Sequence, residues 1–137
     1  MKASSPHRML NPQNLPAPKG FSHVVVPSGG KTVYLAGQTG HTPDGTLPGP
    51  GHVEQLDHAC KNVVEALLSA GARPEHLVSV LIFVVDLPGY RASLHQLGEV
   101  WQKHFGKHYP AVSLFEVSGM FEPGAKVELV CTAVVPG

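Results

Sequence analysis

Between Pro74 and Pro88 lies a run, His76 to Leu87, in which most side chains are apolar and Val, Ile and Phe dominate. β-Branched and aromatic side chains lose freedom against a helical turn but pack well on a pleated surface, so the run reads as a strand. Both of its alternating sets are apolar: Val80, Ile82 and Val84 on one side, Leu81, Phe83 and Val85 on the other. A strand of that kind belongs in the middle of a sheet covered on both faces. Helices cover one face, and self-association is the simplest cover for the second.

Two helical stripes flank this strand. Val53, Leu56, Cys60, Val63, Val64, Leu67 and Leu68 recur at spacings of three and four, and Gly71 supplies the stop. Tyr90, Leu94, Leu97, Trp101 and Phe105 repeat in the same way and end at Gly106. Phe21–Val26 and Thr32–Ala36 are β-rich segments around Pro27-Ser28-Gly29-Gly30, which predicts a hairpin. A short strand is expected near Gly45–Leu47, and closing strands over Ala111–Ser118 and Lys126–Val135. Residues 1–19 carry Pro6, Pro12, Pro16 and Pro18 and read as an irregular arm, ahead of a single domain over 20–137. The order β-β-(β)-α-β-α-β-β predicts an α+β, two-layer domain with a mixed sheet and two helices on one face.

With 137 residues the chain has room for one core. Ten basic and ten acidic side chains cancel, so no chain-wide positive field exists to attract nucleic acid or an anionic membrane surface. Lys2 and Arg8 have no apolar stretch behind them of the kind a leader needs, and no segment is apolar enough to span a bilayer; a cytoplasmic location is expected. Cys60 and Cys131 each sit in an apolar periodic stretch and read as reduced core residues. The nine histidines are scattered; only His104 and His108 stand four apart, and Gly106 and Pro110 should end the helix there. No metal and no cofactor is expected: the four converging ligands of a zinc site, the phosphate-cradling loop and the nucleophile elbow are all missing.

Four segments, in order, carry a resemblance. They are Val33-Tyr34-Leu35-Ala36-Gly37-Gln38, Val80 through Leu87, Tyr109-Pro110-Ala111-Val112-Ser113 running on to Glu116-Val117, and Pro123-Gly124-Ala125-Lys126-Val127-Glu128-Leu129. Over about residues 20 to 135 the chain resembles the reactive intermediate deaminase (Rid, YjgF-type) family. The resemblance implies a chorismate-mutase-like fold, a homotrimer whose sheets line a central barrel, and small-molecule clefts between subunits. It also implies hydrolysis of reactive 2-imino acids to 2-keto acids and ammonia. Such chemistry needs a guanidinium fork for the carboxylate and a group that orients water.

The chain departs from that pattern. The deaminating members read Pro-Ala-Arg-Ser where this chain reads Pro110-Ala111-Val112-Ser113, and their second acidic residue on the last strand is Val130 here. The serine before Gly-Gln is Ala36, and the tyrosine of the first strand is His23. Loss of a charge-assisted bidentate contact costs roughly 3 kcal/mol, about a hundredfold. The chain is therefore similar to an Arg-lacking branch of the family.

By that alignment His23 and Glu128 are the candidate catalytic residues, His23 as acid, base or donor and Glu128 as acid or base; a rim histidine and an ordinary strand carboxylate are the plainer readings. Ala36, Gly37, Gln38, Val112, Ser113, Leu114, Glu116 and Val130 are the candidate ligand-binding residues. Glu116 is expected to hold a neighbouring backbone or an interface arginine, and Phe115 and Phe121 to pack in the core or an interface. Three functions remain open: Arg-independent hydrolysis of an imine- or enamine-type C–N bond in intersubunit clefts, ordinary 2-imino acid deamination (2-aminoacrylate to pyruvate and ammonia) with Arg91 or Lys126 as relocated cation, and a non-catalytic metabolite-binding or regulatory trimer. Relatives have been described as ribonucleases, but a neutral chain offers RNA little counterion release.

Overall fold

The computed structural model describes residues 4–137; Lys2 and the first residues of the arm lie outside them. The elements are β1 (Arg8–Leu10), β2 (Val24–Val26), β3 (Gly30–Tyr34), α1 (His52–Ser69), a 3-10 turn (Pro74–His76), β4 (Leu77–Val84), α2 (Leu87–Arg91), α3 (Leu94–Phe105), β5 (Ala111–Glu116) and β6 (Val127–Pro136). The main sheet has the order β3-β6-β4-β5. β4 runs parallel to β5 and antiparallel to β6, and β3 is antiparallel to β6. The α+β class and mixed sheet are as expected, and the apolar run forms an inner strand.

α1 starts at Gly51, whose N–H donates to the Glu54 carboxylate, an acidic group at the positive end of the helix dipole. It stops at Gly71, whose φ of 72° suits a residue without a Cβ, and the Ala72 N–H returns to the Leu67 carbonyl. Leu56, Ala59, Cys60, Val63 and Leu67 face the core, whereas Leu68 is exposed. Against them pack Val80, Ile82 and Val84 of β4 and Val127, Leu129, Cys131 and Ala133 of β6. Leu81 and Phe83 turn to the opposite, half-open face of the sheet.

Four expectations need correction. The predicted hairpin does not form: β2 pairs with β1 and β3 pairs with β6, in separate sheets. Pro27 lacks a donor, and the next residue is tied to the arm, Ser28 N–H donating to His7 Nδ1 and its hydroxyl to the Pro6 carbonyl. The arm is accordingly not irregular throughout, because its prolines leave Arg8–Leu10 free to pair with Val24–Val26. Buried His7 pins this small sheet by approaching the His76 and Val134 carbonyls. Residues 45–47 make no strand; Asp44 instead caps a turn closed by Thr42 N–H to Thr46 carbonyl. Finally, the second stripe is two helices, because Ser93 (φ −116°, ψ 17°) leaves helical geometry; Tyr90 belongs to α2, and Leu94 is exposed.

Candidate functional site

β5 is an edge strand, and its residues alternate between two different surroundings. Paired residues on neighbouring strands share a face. Val112 pairs with Val80 and Leu114 with Ile82, so both look toward the helices. Ser113 pairs with Leu81, which pairs with Val130, and Phe115 pairs with Phe83, which pairs with Glu128. These five therefore occupy the open face with Glu128. One chain thus divides the predicted site between the two sides of its sheet.

On the helix side, β5, α3 and the end of the arm enclose a cleft of about 650 Å³. Its wall is chiefly apolar, with Val112 and Leu114 opposite Leu97 and Trp101, and with Ile82 and Tyr90 deeper in. Burial pushes the Tyr90 phenol up to about 12, so it stays protonated. Gln102 and Tyr109 supply a polar patch, the Gln102 amide donating to the Tyr109 hydroxyl at 2.8 Å. The mouth is formed by Lys19, Gly20 and Phe21. This corner is strapped down at Ser22, whose N–H donates to the Pro110 carbonyl at 2.9 Å and whose hydroxyl donates to the Tyr109 carbonyl at 2.6 Å. No carboxylate, imidazole or thiol lines the cleft.

On the open face, Gly37 and Glu128 meet: a Cβ at residue 37 would run into the Glu128 carboxylate. Gln38 is locked to β6 by a pair of backbone bonds with Leu129, at 2.8 and 2.9 Å, and its amide donates to the exposed Ala36's carbonyl. Gly37, Gln38 and Glu128 thus form one cluster, beside which Phe83 and Phe115 stack with centroids 5.8 Å apart. Phe115 is 49% exposed and Phe121 95%, so neither is a core residue of the single chain.

Other predicted residues have local duties. Glu116 accepts from the Leu87 N–H at 2.9 Å and so holds the backbone where α2 begins. His23 Nε2 lies 2.7 Å from the Pro16 carbonyl, the His23 backbone N–H donates to Asn11 Oδ1, and the imidazole ring meets Phe21 edge-on. It neighbours the cleft through Phe21 and has no hydrogen bond to Glu128. Arg91 and Lys126 do not line the cleft; the cation that does is Lys19, which sequence reasoning passed over in a proline-rich arm. Burial pushes both thiols up, Cys131 to about 12 and Cys60 well above the usual range. His104 instead meets Asp57 at 2.7 Å, and His108 meets the Leu77 carbonyl. Among the described residues no group of three or more His, Cys, Asp or Glu side chains is placed to hold a metal ion, and no helix is long and apolar enough to cross a membrane.

The sequence profile of the family described as Endoribonuclease L-PSP matches residues 12–135. The chain belongs to this family, the Rid (YjgF/UK114) proteins. This Rid chain is 29% identical to the 2-iminobutanoate/2-iminopropanoate deaminase of Mus musculus over 105 residues, 76% of this chain and 74% of that protein. It is 31% identical to the RutC family protein UK114 of Drosophila melanogaster over 106 residues, 76% and 72% of the two chains. A Yersinia pestis crystal structure, YyfB, described as a conserved Rid family protein of unknown function, superposes with a TM-score of 0.82 at 29% identity. The match covers 94% of this chain and 98% of that one.

Proposed function

We propose that this Rid chain works as a homotrimer that binds a small metabolite in clefts between its subunits and hydrolyses an imine- or enamine-type C–N bond there, without an arginine on β5. The observation that carries this reading is the cleft beneath β5, a concave apolar wall with a few polar groups at its rim. Val112 gives that wall a surface suited to a hydrocarbon side chain. The deaminase name of the mouse relative supports C–N chemistry.

Among the described residues the cleft of one copy holds no carboxylate, imidazole or thiol. Glu128 stands on the open face, which also carries exposed Phe115 and half-buried Leu81, Phe83 and Val130, an apolar surface that a second copy would cover. In the trimer, the Glu128 face of one subunit meets the β5 edge of the next, and the two halves make one site. Glu128 then takes a proton from water as the water oxygen bonds to the C=N carbon and the C=N electron pair moves to nitrogen. It returns that proton to the nitrogen, then passes on the hydroxyl proton to the same nitrogen as C=O forms, the C–N bond breaks and ammonia leaves. The formal net charge of zero, with one cation at the cleft, supports RNA cleavage far less well.

Ammonia release tests the reading, with 2-aminoacrylate and 2-iminobutanoate generated in place and neutral imines alongside. The wild type should accelerate release from at least one of them, and Glu128→Gln should lower that rate by about tenfold or more. No acceleration with any imine or enamine would leave the non-catalytic binding trimer, which the lack of a carboxylate or imidazole among the described residues of the single-chain cleft favours.

A further inference from the structure

The cation that lines the cleft among the described residues has a setting that fits a ligand. Among the described residues, Lys19 is the single charged one lining it. Among the described residues it makes no ion pair, while the three that do occur involve His95, Glu99, Asp57, Lys103 and His104. The adjoining Gly20 has a φ of 76°, a left-handed turn that a Cβ would oppose, and it redirects the chain so that Lys19 and Phe21 both reach the cleft. Ser22 then anchors the turn to residues 109 and 110 through the two bonds given above, so the backbone that carries Lys19 is held beside the entry to β5. The Tyr109 hydroxyl accepts from Gln102 and retains its own hydrogen to donate. Lys19 and Tyr109 both line this chiefly apolar cleft, so an ammonium and a hydroxyl are available there to an anion with a hydrocarbon body.

We propose that Lys19 is the anion anchor of this cleft. It takes the place left by the valine on β5, gripping a carboxylate at the mouth while the ligand's apolar body lies along Val112, Leu114, Leu97 and Trp101. This rests on the cleft being the binding site, as proposed above. An ammonium is a compact point charge without the fork of a guanidinium, so Lys19 selects a carboxylate by charge and leaves its orientation to the apolar wall. The specificity expected is for ligands whose carbon chain fills that wall.

Trp101 is the only tryptophan and lines the cleft, so its emission reports occupancy directly. The experiment titrates the full-length protein with 4-methylpentanoate and with its uncharged amide, in wild type, Lys19→Met and Lys19→Arg. Wild type should bind the acid about tenfold or more tightly than the amide, as expected for a hydrogen bond to a charged group. Lys19→Met should remove that advantage without changing affinity for the amide, and Lys19→Arg should keep it. Equal binding of acid and amide by the wild type, or an undiminished advantage in Lys19→Met, would overturn the role of Lys19 while leaving the cleft reading intact. Failure of both compounds to perturb Trp101 would overturn the two together. Lys19 is exposed and outside every strand and helix, so both variants should unfold at the wild-type temperature.

Discussion

His108 is buried just beyond α3, its Nε2 held 2.8 Å from the Leu77 carbonyl while the Trp101 indole donates to the His108 carbonyl at 3.0 Å. Because a carbonyl only accepts, the proton sits on Nε2. Burial, the largest influence, holds its pKa below the usual 6.5 even though the Leu77 carbonyl pulls the other way. Unfolding releases the imidazole to its ordinary value, so the unfolded chain binds a proton that the folded chain refuses. Stability is full above about pH 6.5 and falls as the pH drops from there through the lowered folded value. Melting temperatures taken from pH 8 to pH 5 should decline below about 6.5, and His108→Gln should flatten that decline; an unchanged slope would show that His108 titrates alike in both states. At this scale the sequence was only partly readable. The helix end between His104 and His108 could be seen from Gly106, but the partners of each ring depend on distant backbone. Gly37 could be marked as a place of close approach, yet only the fold reveals that Glu128 is what approaches.

Among the elements, α1 has the clearest signature in sequence, and the residue that does most to fix its neighbours breaks its pattern. Gln55 is fully buried on the apolar face. Its amide donates to the Gly49 and Gly124 carbonyls and its oxygen accepts from the Lys126 N–H, so it clasps the loop before α1 to the start of β6. Gln55→Leu keeps the volume and leaves three backbone groups without partners, so urea unfolding should show a loss of about 3 kcal/mol. A loss below about 1 kcal/mol would mean that water replaces the amide. β4 and the core of α1 were legible because their periodicity is carried by the residues that are buried. The supposed hairpin was not, since Phe21–Val26 and Thr32–Ala36 both look like strands and nothing local shows that each pairs elsewhere. The arm hid β1 and Lys19 for the same reason: prolines exclude regular structure only where they stand.

For the whole molecule, the decisive property is that the sheet has two unlike faces and the candidate site residues are shared between them. Alternation along β5 puts Val112 and Leu114 on one side of their strand, and alternation along β6 puts Glu128 and Val130 on one side of theirs. It could not relate the two strands, because that depends on the register of both with β4. With that register the candidate residues of a single chain lie back to back, and the proposed trimer would bring the open face of one copy against the cleft of another. The most direct measurement is a crystal structure of the assembled protein soaked with 2-oxobutanoate, the keto acid that hydrolysis of 2-iminobutanoate would yield. Density for the keto acid should lie against Val112 and Leu114, with Glu128 of a neighbouring copy facing it. Keto acid bound away from β5, or a β5 cleft that no second copy covers, would contradict the account.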